Sequence, residues 1–193
     1  YKCWWTRRAD WWIAETETAR QGLHRRLGLP LSRISLVSNS AGNAYTKFHE
    51  ERAEFPGPSQ PLRLLCFCAA YKHKNLELLP KVAKALQELD SNFPFYFIVT
   101  LPSEGPDWKR LQAQAAQYGV TQHIVNRGPV LSVDGPALYR SADCLFLPTV
   151  LETFSATYPE AMRMGLPILT PELDYLQDVC QDAALYFPPY DPQ

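Results

Sequence analysis

The sequence predicts an α/β domain, a parallel sheet with helices on both faces. Three observations carry this. Short, nearly all-apolar runs recur along the chain, as strands buried on both faces require. Between them lie segments whose apolar residues fall at helical spacing. Gly and Pro punctuate the joins, as at Gly28, Pro30 and Gly119.

In chain order, Trp11 to Ala14 reads as a strand and Glu15 to Leu27 as a helix that Gly28 and Pro30 stop. Ile34 to Val37 is a short strand, and Ser38 to Asn43 a loop. Residues 50–61 carry Pro56, Gly57, Pro58, Ser59 and Pro61 and read as a connection into a further domain. From there the alternation is regular. Leu62–Cys68 is a strand, followed by a helix over Leu76–Leu89 with Leu76, Leu79, Val82, Ala83, Leu86 and Leu89 on one face. Phe95–Val99 is a strand, Trp108–Tyr118 a helix, Ile124–Val125 a strand, and Ala137–Ser141 ends a short helix. Strand Cys144–Leu147 leads to a helix ending at Met164. Strand Ile168–Leu169, a helix near Tyr175–Cys180 and strand Leu185–Phe187 complete the pattern.

The bulk numbers narrow the functional classes. The chain has 193 residues, 46% hydrophobic and 20% charged, with a formal net charge of -1. That composition builds a core and gives no basic surface for nucleic acid. No apolar run approaches the roughly 18 residues of a membrane span. The chain starts at Tyr1, without a methionine or signal-peptide pattern, and stops just after a strand-like run, so both ends read as cuts in a longer protein. Four of the five tryptophans, Trp4, Trp5, Trp11 and Trp12, crowd the first twelve residues and read as packing against a neighbouring domain. Five cysteines cannot all pair. Cys66 and Cys68 lie in one apolar run and point the same way if that run is a strand. Only His73 is near them, so they read as small buried hydrophobes, and unpaired thiols fit a reducing compartment.

Parallel strands send every strand-to-helix loop to one sheet edge, where ligands of such folds bind. The richest loop runs from Thr149 to Tyr158. Glu152 lies in it and can accept from sugar hydroxyls. The amides of Thr153, Phe154 and Ser155 precede or open a helix and can meet an anion. Glu160 follows eight residues later, about two turns on if the segment is helical. In the loop from Ala69 to Asn75, Lys72 and Lys74 can reach a phosphate or remain solvated. The turn Asn126-Arg127-Gly128-Pro129-Val130 offers backbone groups to a flat base, or is a plain turn. In the fourth loop, Thr170 to Asp174, Asp174 reads as a helix N-cap. No Asp-x-Asp, Gly-x-Gly-x-x-Gly, Walker or Gly-x-Ser-x-Gly motif occurs.

These residues together resemble a known family. Glu152-Thr-Phe-Ser-Ala-Thr-Tyr-Pro-Glu160-Ala-Met, followed by Gly165-Leu-Pro-Ile, is similar to the signature of retaining glycosyltransferases of the GT-B fold, group 1 or family 4. Arg140-Ser-Ala-Asp143 resembles the family's Tyr-x-x-Ala-Asp step, and His73-Lys74-Asn75 its Lys-Asn or Lys-Gly motif. Asp10 to Thr18 and Ile34 to Asn39 resemble the crossover between its two domains. Two positions depart from the common pattern: Ala69 stands where many members carry Arg, and Ser155 where many carry Gly.

The resemblance implies a Rossmann-like C-terminal half of a GT-B fold. Residues 1–37 would be the remnant and crossover of an N-terminal acceptor domain, and 38–193 the nucleotide-sugar-binding domain. Glu152 and Lys74 are the implied catalytic pair, with Glu152 on the sugar and Lys74 on the diphosphate. Thr153, Phe154, Ser155, Glu160, Arg127, Gly128, Pro129 and Val130 are the implied donor-binding residues, with Glu160 on the ribose and the Arg127–Val130 turn at the base. No metal and no cofactor are implied. The implied partners are a nucleoside-diphosphate sugar, a glycan or lipid-linked acceptor and the missing N-terminal domain. The implied location is cytoplasmic, with the inner face of a membrane as one station. A second reading makes the chain a nucleotide- or sugar-binding module without catalysis. A third, an epimerase of the same fold, lacks a placeable set of carboxylates and histidine.

Overall fold

A computed structural model describes residues 2–46, 55–57 and 59–192. The first part is a small layer with its own core. Helix α1 (Lys2–Thr6) precedes strand β1 (Trp12–Ala14), helix α2 (Glu17–Leu27) and strand β2 (Ile34–Leu36). β1 and β2 pair in parallel, and Ala14, Leu29 and Ile34 are buried between them and α2. α2 starts two residues later than expected because the Thr16 hydroxyl caps it, accepting from the Ala19 amide at 3.2 Å. Gly28, at φ 68, closes it in the left-handed conformation that glycine adopts without strain. The Asp178 carboxylate accepts from the Thr18 amide at 2.6 Å and ties this layer to the rest. Trp4, Trp5 and Trp11 are each more than half exposed.

Helix α3 (Asn43–Thr46) follows where a loop was expected to end. Beyond it, six strands form one sheet: β3 (Leu62–Cys66), β4 (Phe95–Val99), β5 (Ile124–Asn126), β6 (Cys144–Phe146), β7 (Ile168–Pro171) and β8 (Ala184–Phe187). Their order is β5-β4-β3-β6-β7-β8, with every neighbouring pair parallel. The central strands are the apolar runs of the sequence. Leu65, Phe97, Ile98 and Leu145 are fully buried, and each contributes roughly 1.5–3 kcal/mol by leaving water. The expected parallel α/β architecture is therefore the observed one.

Five helices connect the strands: α4 (Leu79–Leu89), α5 (Pro106–Gln117), α6 (Gly135–Arg140), α7 (Thr157–Arg163) and α8 (Asp174–Cys180). α4 is shorter than its apolar stripe suggests. Leu76–Leu78 is a separate 3₁₀ turn, and Leu89 is 84% exposed at the helix end. β3 ends at Cys66, two residues early, yet Cys66 and Cys68 do face the same way, with sulfurs 3.9 Å apart. The Cys66 thiol, hydrogen-bonded to Cys68 and fully buried, is pushed well up, and Cys68 is held down by the same bond. All five cysteines are free. No described helix is long and apolar enough to cross a membrane.

Candidate functional site

Strand order fixes where a ligand can enter. From β3 the chain moves outward through β4 to β5, then returns to β6 on the other side of β3 and moves outward through β7 to β8. The loops after β3 and β6 thus diverge from neighbouring strands. In open α/β sheets such a switch point leaves a crevice at the carboxyl edge.

Lys74 comes from the first of these loops and Glu152 from the second, and they meet across the crevice as an ion pair. The Lys74 ammonium also lies 3.5 Å from the Ser155 hydroxyl, and the residue is only 8% exposed. His73 Nε2 is 3.5 Å from the same Glu152 carboxylate. Two charges this far from water are tolerated because each neutralises the other; removing one partner leaves the other uncompensated. The two loops are also stitched through their backbones. The Val150 amide donates to the His73 carbonyl at 2.8 Å, and the Thr149 hydroxyl donates to it at 3.2 Å.

Asn75 explains the residue after the lysine. It sits at φ 54, where the chain turns from one 3₁₀ turn into the next. Glycine takes this left-handed conformation freely, and asparagine tolerates it better than other side chains do. Its buried Nδ2 has no hydrogen-bond partner among the described residues.

The loop around Thr153, Phe154 and Ser155 precedes its helix, one of the two placements expected, and only the conditional two-turn spacing of Glu152 and Glu160 is not met. α7 begins only at Thr157, with Ala156 before it and no side-chain cap. Glu152 and Glu160 are therefore not two turns apart on one helix. Glu152 lies in a non-helical loop and Glu160 in the first helical turn. Pro159 is the reason: without an N–H it fits only the first turn, so the helix must start just before it. The amides of Thr153, Phe154 and Ser155 donate to no acceptor among the described residues. Ser155 is buried, Phe154 half-buried and Thr153 exposed, its hydroxyl 3.4 Å from Glu15.

Glu160 is held separately from the Lys74–Glu152 pair. The Tyr139 hydroxyl donates to its Oε2 at 2.9 Å. Burial pushes the Glu160 carboxyl above the usual glutamate range, and the Tyr139 bond opposes that shift. Burial, then the nearby Glu160 charge, holds the proton on Tyr139 and on Tyr45 far into alkali. Sequence reasoning passed over Tyr139, although it is the first residue of the Tyr-x-x-Ala-Asp step. A buried Tyr in place of Phe is the signal, because its hydroxyl needs a partner.

The Arg127–Val130 turn is pinned to the end of β4. The Arg127 amide donates to the Val99 carbonyl at 2.9 Å, and Asn126 exchanges two bonds with the Leu101 backbone at 2.9 and 3.0 Å. Gly128 has φ 74, and its amide donates to Asn126 Oδ1 at 3.1 Å. Arg127 and Pro129 are exposed, and Val130 is half-buried against the main core. No described hydrogen bond or ion pair joins this turn to Lys74, Glu152 or Glu160. It follows a strand two places from β3, about 10 Å away.

Asp143 has a different duty. It accepts from the Arg63 guanidinium at 2.7 and 2.9 Å and from the Arg63 amide at 2.8 Å. This locks the start of β6 to the start of β3, at the sheet edge opposite the site. Asp174 is not the N-cap of α8; Leu173 holds that place and Asp174 is the first helical residue.

Residues 47–193, well over half of the chain, match the family described as glycosyl transferases group 1. The chain belongs to that family. Solved structures share the fold of this group 1 glycosyltransferase chain. Anabaena Alr3699/HepE, solved with UDP-glucose, superposes with a TM-score of 0.74 at 16% identity, over 96% of this chain and 51% of its own. Sucrose-phosphate synthase from Thermosynechococcus elongatus gives 0.75 at 16%, over 96% and 47%. A variant of S. aureus TarM, solved with fondaparinux, α-GlcNAc-glycerol and UDP, gives 0.73 at 14%, over 93% and 34%. The chain thus spans between a third and a half of the length of these structures. No curated protein sequence matches it.

Proposed function

We propose that this chain is the donor-binding half of a retaining glycosyltransferase of the family 4 type. It moves a sugar from a nucleoside diphosphate to a glycan or lipid-linked acceptor. The observation that carries the reading is the buried Lys74–Glu152 pair across the switch point. A buried cation beside a carboxylate and three unengaged amides fits a sugar diphosphate: anion to the cation and amides, hydroxyls to the carboxylate.

In this reading Lys74 exchanges Glu152 for the diphosphate as the donor enters. Glu152 and the amides of Phe154 and Ser155 then hold the sugar. Glu160 accepts from the ribose hydroxyls, and the Arg127–Val130 turn meets the base. Lys74 and the loop amides stabilise the leaving diphosphate as charge develops. No metal is required, because a protein cation already stands there. Departure and attack share one face of the sugar, and a donor phosphate oxygen takes the acceptor's proton.

Residues 1–37 belong to the crossover and acceptor side, and 38–193 to the donor side. The exposed Trp4, Trp5 and Trp11 support this division, as a surface for the acceptor domain. Five free thiols fit a cytoplasmic protein. Binding of UDP-, GDP- and ADP-sugars to the chain, with and without Lys74→Ala, tests the reading. Binding of none of them would sink it.

A further inference from the structure

Two buried tyrosines converge on Glu160. Tyr139, on α6, is fully buried; its hydroxyl lies 2.9 Å from Glu160 Oε2 and 3.2 Å from the Thr157 carbonyl, one turn back on α7. Its ring is met edge-on by Phe67, at 5.8 Å, and by Tyr45 of α3, at 5.6 Å. Tyr45 is 1% exposed, and its hydroxyl faces the same carboxylate without a hydrogen bond of good geometry to any described residue. It fits only because residue 135 is glycine; a Cβ there would lie 2.0 Å from the Tyr45 hydroxyl. Tyr45 precedes the stretch that matches the family, so a segment outside that match buttresses this cluster.

A carboxylate with one oxygen already engaged presents the other in a fixed direction. We infer that Tyr139, backed by Tyr45, is a positioning residue that orients Glu160 toward the vicinal hydroxyls of a nucleotide ribose. This rests on the reading above, in which Glu160 takes the ribose. Tyr139 acts through Glu160, the carboxylate that its hydroxyl engages. Its bond keeps a half-buried carboxylate in the charged, accepting form, against the burial that favours the neutral acid. The groups that face Glu160 from packed elements are Tyr139 and Tyr45, and Arg163 lies one turn on along its own helix.

The test is calorimetric titration of the chain with UDP, GDP and ADP from pH 4.5 to 8, comparing Tyr139→Phe with the unsubstituted protein. At neutral pH Tyr139→Phe weakens the best-bound diphosphate ~10-fold, the effect of losing one hydrogen bond to a charge. Its affinity falls off at a higher pH on acidification, because Glu160 protonates earlier without the phenol. The 2′,3′-dideoxy analogue of that nucleotide, which has no diol, binds both proteins equally. In a Glu160→Gln background Tyr139→Phe adds little. Should Tyr139→Phe not fold, 3-fluorotyrosine at position 139 keeps the shape and donates more strongly, so the acid limb moves to lower pH. An unchanged affinity and pH profile, or an equal loss with the dideoxy analogue, overturns the inference and leaves the functional reading standing. No binding of any of the three nucleotides by the unsubstituted chain overturns both.

Discussion

Lys74 and Glu160 are given different parts of one ligand, and substitution separates them. Glu160→Ala leaves two ribose hydroxyls unpaired and costs roughly 1–3 kcal/mol of binding, for nucleoside and nucleoside diphosphate alike. Lys74→Ala costs as much or more for the diphosphate, nothing for the nucleoside, and less at high salt. Titrating uridine and UDP, or the better-bound base, against both variants reads the division; equal losses on the nucleoside would refute it. Asn75 gives a second residue-scale test. Its φ of 54 suits glycine, so Asn75→Gly is tolerated, while Asn75→Ala costs about 1–2 kcal/mol in a thermal melt. Lys74, Glu152 and Glu160 stand out in the sequence as candidates because each is a charged residue in a loop or first turn at the sheet edge, and the structure brings the first two together. Tyr139 was not, since a tyrosine inside an apolar helix reads as core until its hydroxyl's partner is seen.

Among the elements, α7 shows what the sequence signalled and what was missed. The strand–loop–helix–Gly–strand frame was plain from apolar runs and Gly165. The helix start stays open in the apolar pattern, and Pro159 decides it: a residue without an N–H fits the first turn, so the helix begins at Thr157. β3 was overextended for a related reason. Cys68 is as apolar as Cys66, but the chain bends there to deliver the Lys74 loop. The Asp143–Arg63 lock makes a separable prediction. Asp143→Ala leaves the Arg63 guanidinium and amide without their acceptor, at the far edge of the sheet. With the Arg63 side chain 35% exposed, the cost is discounted to about 2–3 kcal/mol of unfolding free energy. Denaturant melts read that loss, while nucleotide affinity of the folded fraction stays unchanged. A matching loss of affinity would mean the lock belongs to the site.

On the scale of the whole molecule, the order of six parallel strands was inferable only as a class. Periodicity shows that strands alternate with helices, but not that β6 returns beside β3, and that return creates the crevice. The buried acids of the core set a pH range. Burial raises the Cys180 thiol from 9.0 to about 12 and lifts the phenols of Tyr139, Tyr158 and Tyr175 above 10.0. Raised values mean stability that is full below the unfolded-state values and lost as pH climbs through the folded ones. Melting temperature therefore holds to about pH 9 and falls steadily above it; a flat profile to pH 11 would contradict this burial. Proposed metal-independence is a whole-site property: affinity for the diphosphate survives EDTA, and a large loss would call for a cation that Lys74 does not replace. The most direct measurement is a calorimetric titration of the chain with UDP-, GDP- and ADP-glucose, repeated with Lys74→Ala. The account predicts that at least one binds and that Lys74→Ala weakens it ~10-fold or more. Binding that is indifferent to Lys74, or no binding at all, would contradict a donor site at the Lys74–Glu152 crevice.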